Sequence, residues 1–210
     1  YSDGVRGTDG ENRIGPARMV AAGRIPAERM KKTTAWVLSL AYFAGLGLVH
    51  YGGWWMLPLG LICLLLAVAY TAGPFPLAYL GLGDIFVLLF FGWIPVMTSY
   101  YVQAGSWNFE TFWSGTACGL LATNLLIINN YRDYEGDLLA GKRTTTVRFG
   151  PGFTRAQYTA NLGIALAMPF VLYFFAPYPS LVLLPSFLLA YPAWQLIQSL
   201  KTVDRQRCGP

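Results

Sequence analysis

Charged side chains are scarce in this chain. Asp, Glu, Lys and Arg make up 12% of its 210 residues, about half of the roughly 25% that is usual in soluble proteins. Hydrophobic residues make up 55% and are gathered into runs of about 18–24 residues, close to the length that crosses a bilayer. The composition excludes a soluble globular domain and predicts an all-α, polytopic transmembrane helix bundle.

Cysteine and histidine are also rare. The three cysteines have no metal-ligand spacing, because Cys63 and Cys118 lie within apolar runs and Cys208 lies in the polar tail. The single histidine, His50, falls at the outer end of the first apolar run, far from the acidic loops. These absences argue against a cysteine-based metal site and against a catalytic histidine.

Six apolar segments are predicted to span the membrane as helices. Pro95 and Pro169 lie inside two of them and predict kinks. No linker divides the chain, which is expected to be one membrane domain over residues 1–210. Because it starts at Tyr1 rather than Met, it is expected to be an internal fragment of a longer protein. The predicted spans are Thr33–His50, Trp54–Thr71, Leu80–Val102, Phe112–Tyr131, Ala156–Ala176 and Leu181–Leu200.

The basic residues predict the orientation of these helices. All 15 Lys and Arg fall in three stretches, 6–32, 132–155 and 201–207. Six spans place all three stretches on one side, which the positive-inside rule assigns to the cytoplasm. The net charge of +5 therefore belongs to cytoplasmic loops. It indicates a membrane-surface or phosphate partner and no nucleic acid.

The most informative segment follows the fourth span. Asn129, Asp133 and Asp137 are spaced i, i+4 and i+8, so on a helix they share one face. Carboxylates at the edge of a hydrocarbon layer are costly and repel one another, and hard oxygen ligands of this kind suit Mg²⁺. A membrane helix that ends in a Mg²⁺ site indicates chemistry on a phosphorylated lipid.

A weak internal repeat adds a second acidic cluster. Asp3 and Asp9 open the first basic loop as Asp133 and Asp137 open the second, and both loops are predicted on the same side. Two acidic clusters can hold one diphosphate through Mg²⁺ while basic side chains bind its remaining oxygens. The candidates for that second role are Lys142, Arg143, Arg13, Arg18 and Arg132.

At these residues the chain resembles the UbiA-type intramembrane prenyltransferases, and most of all their 1,4-dihydroxy-2-naphthoate branch. The family's second motif, Asn-Asn-x-Arg-Asp-x3-Asp, is matched from Asn129 to Asp137, and Asp3 and Asp9 fit the two acids of its first motif. Further blocks that resemble the branch are Arg13-Ile14-Gly15-Pro16, Tyr70-Thr71, Gly73 to Tyr79, Gly81-Leu82-Gly83-Asp84, Gly141-Lys142-Arg143-Thr144 and Val147 to Gly150.

The resemblance implies a nine-helix fold from which this chain lacks the first and last helices. It implies Mg²⁺-dependent transfer of a polyprenyl group from polyprenyl diphosphate to 1,4-dihydroxy-2-naphthoate, with decarboxylation, in menaquinone or phylloquinone biosynthesis. The bilayer would be a bacterial inner membrane. The implied metal ligands and catalytic residues are Asp3, Asp9, Asn129, Asp133 and Asp137.

Several alternatives stay open at the level of sequence. The acceptor is 4-hydroxybenzoate, haem or a chlorophyllide in other branches of the superfamily, and a secondary transporter also carries intramembrane acids. Asp84 either caps a helix or contacts the acceptor, and Asn124 either contacts the acceptor or joins two helices. Tyr70 is a third candidate for the acceptor pocket, and Arg132 either binds diphosphate or holds the carboxylates in place.

Overall fold

The computed structural model describes residue 5, residues 19–73 and residues 76–208, with side chains as far as residue 200. The described residues form helices and turns and contain no strand. The predicted fold class, an all-α polytopic membrane protein, is therefore confirmed.

Nine α-helices follow one another in the described residues, joined by short turns. A 3-10 turn, Leu77–Leu80, precedes α4, and a π-helical turn, Leu89–Trp93, joins α4 to α5. The helices are α1 Ala27–Gly45, α2 Gly47–Gly52, α3 Met56–Thr71, α4 Gly83–Leu88, α5 Ile94–Ala104, α6 Phe109–Arg132, α7 Tyr134–Leu139, α8 Thr145–Phe175 and α9 Leu184–Cys208.

Five helical segments are long and apolar enough to cross a membrane, namely Ala27–Gly52, Gly83–Ala104, Phe109–Arg132, Thr145–Phe175 and Ser180–Leu200. The remaining predicted span, Trp54–Thr71, is shorter than expected. Its helix, α3, starts at Met56 and has 16 residues, a rise of about 24 Å against the roughly 30 Å of hydrocarbon. Trp54 and Trp55 form a turn after Gly53 instead of joining the helix.

The surface of these helices is apolar. Helix α1 has no buried residue, and Trp36 and Phe175 are 77% and 83% exposed. Large apolar side chains in such numbers on a surface are the mark of contact with lipid. The chain is an integral membrane protein.

The helices depart from regular geometry near prolines, but only one of the two predicted positions, Pro95, is among these places. The π-helical turn Leu89–Trp93 ends two residues before Pro95, and such a widened turn accommodates a ring that would collide with the carbonyl four residues earlier. In α8 the backbone leaves helical geometry at Gly150, where φ is 81° and ψ is 166°. The break thus lies beside Pro151, which starts the second part of the helix, rather than at Pro169.

The chain divides into two compact units. Unit 1 contains the described residues up to Gly83, together with Val102–Gly105 and Asn129–Arg148. Unit 2 contains Asp84–Tyr101, Ser106–Ile128 and the described residues from Phe149 onward.

Unit 2 has a hydrophobic core and a close helix contact. The core is built from Ile127, Tyr158, Leu162 and Ala193. Elsewhere in this unit the π-helical turn approaches α6 so closely that a Cβ on Gly92 would lie 2.5 Å from the carbonyl oxygen of Gly115 and 2.7 Å from the Cα of Gly119. Glycines at such a contact let two membrane helices pack backbone against backbone.

Candidate active site

The predicted acidic segment lies at the junction of α6 and α7, in unit 1. Asp133 stands alone between the two helices, with φ −91° and ψ 10°. The hydrogen-bond ladder nevertheless continues, since the Asp133 amide donates to the Asn129 carbonyl (2.9 Å) and the Asp137 amide to the Asp133 carbonyl (2.8 Å). Asn129, Asp133 and Asp137 therefore keep helical spacing, and they run from exposed through half-buried to buried.

Helix α7 ends in a turn that folds Lys142 back onto Asp137. Gly141 adopts φ 69°, its amide donates to the Leu138 carbonyl (3.2 Å), and the Lys142 amide donates to the Asp137 carbonyl (2.9 Å). This pair of bonds is the Schellman motif, which a glycine in the left-handed region makes possible. The sequence Asp137-Leu-Leu-Ala-Gly-Lys142 thus specifies locally that the lysine returns to the start of its own turn.

The returning lysine forms an ion pair with the buried carboxylate. Lys142 Nζ lies 3.1 Å from Asp137 Oδ1, and the two side chains are 20% and 9% exposed. A charge withdrawn from water this far needs an opposite charge and hydrogen bonds to remain ionised. The pair therefore stabilises a buried carboxylate at the membrane edge.

Tyr79 fixes the same lysine from another segment of unit 1. Lys142 Nζ lies 5.1 Å from the centroid of the Tyr79 ring, within the range of a cation–π interaction. The Arg143 amide donates to the Tyr79 carbonyl (2.9 Å). Tyr79 thus contacts two of the five residues predicted to bind diphosphate, Lys142 and Arg143, although 63 positions separate it from Lys142 along the chain.

Gly81 makes this approach possible. Its φ is 74°, and a Cβ at this position would overlap the carbonyl oxygen of Arg143 and lie 3.2 Å from Arg148 Nε. Only glycine combines the left-handed backbone with the missing side chain. The segment 76–81 is therefore held directly against the loop that carries Lys142 and Arg143.

Arg132 bonds its neighbour Asp133. Arg132 Nε donates to Asp133 Oδ1 (2.7 Å), and the guanidinium NH₂ donates to Oδ2 (2.8 Å). Two parallel bonds of this type fix both position and rotation of a carboxylate. These bonds are the ones expected of the second of its two predicted roles, and which role Arg132 has stays a prediction.

These residues offer only part of a metal site. Within the described ranges, no three or more His, Cys, Asp and Glu side chains come together as a group that could hold a metal ion. Asp133 and Asp137 each bond a cationic side chain, although a carboxylate oxygen can accept more than one bond. Their oxygen chemistry suits Mg²⁺, but two carboxylates and one amide require further ligands.

The remaining predicted ligands lie outside the described residues. Asp3 and Asp9, the other two acids of the predicted site, belong to the ranges 1–4 and 6–18, as do Arg13 and Arg18. Tyr70, from the predicted acceptor pocket, is half-buried near the end of α3 in unit 1.

A second polar cluster lies in unit 2. Asp84 sits inside the first turn of α4 rather than at the capping position before it, and its Oδ2 accepts a 2.9 Å hydrogen bond from Gln157 Nε2 of α8. Thr123, on α6, is buried and donates to the Gly119 carbonyl (2.8 Å). A carboxylate in the first turn is favoured by the helix dipole, and the glutamine adds a direct bond.

Asn124 joins α6 to α8. Its Nδ2 donates to the Tyr158 carbonyl (3.1 Å), and its Oδ1 accepts from Asn161 Nδ2 (3.1 Å). All of this lies inside the protein, since Asn124 and Asn161 are both buried. These contacts are the ones expected of a residue that holds two membrane helices together.

Sequence reasoning missed three residues of these clusters. The sequence marks Tyr79 and Gly81 only as members of blocks that resemble the family, and it gives no signal for Gln157. The one local hint for the first two is a glycine two residues after an aromatic residue in a loop. Gln157 becomes visible only when α8 is placed against α4.

The fold and the site define an integral membrane protein with paired carboxylates and cations at the end of a membrane helix. The chain belongs to the UbiA prenyltransferase family, which matches residues 6–210. The family resemblance is thereby confirmed, and the match gives the transporter alternative no support. No solved structure matches the chain.

Several named relatives are similar to the chain. The chain is 41% identical over 170 residues to the 1,4-dihydroxy-2-naphthoate octaprenyltransferase of Escherichia coli, covering 77% of the chain and 54% of the relative. It is 37% identical to the enzyme of the same name from Mycobacterium tuberculosis, covering 85% and 61%. A 2-carboxy-1,4-naphthoquinone phytyltransferase from Synechocystis is 32% identical over 97 residues, covering 46% and 32%. The chain spans about half the length of the first relatives it matches.

Proposed function

We propose that the chain is part of an enzyme that transfers a polyprenyl group from polyprenyl diphosphate to 1,4-dihydroxy-2-naphthoate. The observation that carries the proposal is the match to the UbiA prenyltransferase family over residues 6–210, together with relatives named for this reaction in two organisms. The relative named for a phytyl group points to the same type of acceptor with a different tail.

The diphosphate binds at the end of α6. Lys142 and Arg143 donate to its oxygens, and the ion pair with Asp137 and the ring of Tyr79 hold the lysine ready. A preorganised cation stabilises charge as it develops on the leaving diphosphate. Arg13 and Arg18 supply further donors in this proposal.

Mg²⁺ is the proposed cofactor of this site. Asn129, Asp133 and Asp137 would hold it together with Asp3 and Asp9, which would complete the oxygen ligands that the described residues lack. When bound, the ion would neutralise diphosphate and make it a better leaving group.

The reaction is electrophilic substitution on the aromatic ring. The prenyl C–O bond breaks with its electron pair on diphosphate, and a C–C bond forms between the allylic carbon and the ring carbon that carries the carboxylate. That carboxylate leaves as CO₂, and its electron pair restores the aromatic ring. The apolar helices exclude the water that would otherwise capture the allylic cation.

The orientation follows from the basic loops. In this proposal the ends of α6 and α9 face the cytoplasm of a bacterium. In unit 2 the proposed contact to the acceptor is Asp84, because an acidic side chain within a membrane segment is costly unless it serves a function. Asn124 already bonds Tyr158 and Asn161, and Tyr70 of unit 1 stays a separate candidate.

The test is transfer measured with competing acceptors. Membranes containing the full-length polypeptide receive Mg²⁺, a long prenyl diphosphate and either 1,4-dihydroxy-2-naphthoate or 4-hydroxybenzoate. The expected product is prenylated naphthoquinol, lost with EDTA and in Asp133→Asn. Transfer to 4-hydroxybenzoate alone would replace the proposed acceptor, and transfer to neither from folded protein would refute the proposal.

A further inference from the structure

Among the described residues of unit 2, the side chain of Gln157 has a hydrogen-bond partner at one end only. Its Nε2 donates to Asp84 Oδ2 at 2.9 Å. Its Oε1 is buried and has no hydrogen-bond partner among the described residues. A buried carbonyl oxygen without a donor costs free energy, so the position calls for a donor that the described part of the chain does not supply.

The carboxylate of Asp84 fixes which end of the amide is left over. An ionised carboxylate only accepts hydrogen bonds, and a glutamine side chain has one donating and one accepting end. The NH₂ group must therefore face Asp84, and Oε1 must face away from it. Oε1 therefore lacks a hydrogen-bond donor because Gln157 pairs with Asp84, and not because the amide orientation was chosen arbitrarily.

The neighbouring amide on α8 shows what a completed bridge looks like. Asn161 lies one helical turn beyond Gln157, and its Nδ2 donates to Asn124 Oδ1 (3.1 Å), while Asn124 Nδ2 donates to the Tyr158 carbonyl (3.1 Å). Both ends of the Asn124 amide are thus satisfied within the protein. The same helix therefore carries one closed polar bridge and one that stays open at Gln157 Oε1.

We infer that Gln157 Oε1 accepts a hydrogen bond from a ring hydroxyl of the aromatic acceptor and so contributes to acceptor specificity. The inference rests on the proposed function, which supplies an acceptor with two hydroxyl groups. A hydroxyl is a neutral donor and fits an amide oxygen, which only accepts hydrogen bonds. A site built around such a bond discriminates against a ligand that lacks the hydroxyl, because the buried oxygen of Gln157 is then left without a hydrogen bond.

The test measures binding rather than turnover. The dissociation constants of 1,4-dihydroxy-2-naphthoate, 1-hydroxy-2-naphthoate and 4-hydroxy-2-naphthoate are determined for the full-length protein in detergent. Loss of the bonded hydroxyl is expected to weaken binding about tenfold in the wild type. In Gln157→Met the same loss is expected to change binding by no more than about twofold.

Asn161→Met is the matched control. It makes the same change on the same helix one turn away, at a bridge that is already complete, so it should lower stability while keeping the wild-type preference for the hydroxyl. Asp84→Asn provides a second variant. An amide at residue 84 can donate as well as accept, so the Gln157 amide can then bond it through either its NH₂ group or its oxygen. The preference is expected to weaken in that variant even if Gln157→Met does not fold.

Two results would overturn the inference. One is a wild-type protein that binds all three compounds equally, which is also what an ordered water on Oε1 would give. The other is a hydroxyl preference that is unchanged in both Gln157→Met and Asp84→Asn. Transfer activity, assayed in parallel, reports on the proposed function separately, since the wild type can transfer prenyl groups whatever the role of Gln157.

Discussion

The buried ion pair of Asp137 and Lys142 shows how one side chain serves both stability and chemistry. Burial of the carboxylate is tolerable because the cation lies 3.1 Å away, and the same cation is the one proposed to bind diphosphate. Tyr79 and Asp137 together fix the lysine from two directions. Residues that look like separate loop charges in the sequence thus act as one unit.

Lys142→Met is expected to destabilise the protein through Asp137. Removal of one partner of a buried pair costs about 3 kcal/mol, the lower end of the usual range, because Lys142 keeps some exposure. Asp137→Asn in the same chain should recover part of that loss, since no buried charge then remains at this position. Unfolding free energies of both single variants and the double variant in mixed micelles measure the coupling, and strictly additive losses would contradict it.

Gly81→Ala should disturb the site more than its backbone angle alone predicts. A left-handed backbone costs an alanine about 1–2 kcal/mol, and here the added Cβ also overlaps the Arg143 carbonyl. The matched control is Gly105→Ala, where φ is 67° and no atom lies within 4 Å of the added Cβ. The unfolding temperature and the affinity for prenyl diphosphate are both expected to fall further in the Gly81 variant than in the Gly105 variant. Equal losses in the two variants would contradict the proposed role of Gly81.

The candidate site residues that the sequence predicts are those that lie near one another along the chain at a recognisable spacing. Asn129, Asp133 and Asp137 follow from a helical period, and Lys142 follows from its place after a glycine. Tyr79 could not be found in this way, because its contact with Lys142 depends on how two distant segments meet. The lack of a hydrogen-bond donor at Gln157 Oε1 depends likewise on the pairing of this side chain with Asp84, 73 positions away.

At the level of helices, hydropathy located every long apolar segment but not how each one ends. It could not show that Trp54 and Trp55 turn before α3, because both residues are as apolar as a helix would require. Pro95 and Pro151 are visible in the sequence, but the widened turn at Leu89–Trp93 and the break at Gly150 are particular ways of satisfying a missing donor. Several such ways exist, and packing selects among them.

Gly119→Ala is expected to destabilise unit 2. Its Cβ would lie 2.6 Å from Leu88 Cδ1 and 2.8 Å from the Leu88 carbonyl oxygen, so α4 and α6 would have to separate, at a cost of about 1–3 kcal/mol. Gly163→Ala, in α8, meets no atom within 4 Å and should be neutral or slightly stabilising. Melting temperatures of the two variants in detergent provide the comparison, and similar values would show that the close contact is not required.

For the whole molecule, the basic loops predict which ends of the helices are cytoplasmic. Leu139 is 90% exposed beside the acidic site, and Tyr178 is exposed in the turn before α9. Single cysteines at these positions, in a chain with Cys63, Cys118 and Cys208 replaced by serine, should react with an impermeant maleimide from opposite sides. Leu139→Cys is expected to react only in inverted vesicles and Tyr178→Cys only in intact cells, and labelling from one side alone would contradict the orientation.

The proposed function has two parts, a prenyl transfer reaction and a site at the end of α6 that drives it. Family membership and named relatives support the first, and the second depends on Asp137, Lys142 and the residues that hold them.

The most direct measurement is the rate of prenyl transfer to 1,4-dihydroxy-2-naphthoate by the full-length protein and by Asp137→Asn, at equal amounts of folded protein in membranes. The wild type is expected to form prenylated naphthoquinol steadily, and the variant is expected to lose at least about a hundredfold of that rate, close to 2.7 kcal/mol. Equal rates from the two proteins would contradict the proposed role of Asp137 in the reaction.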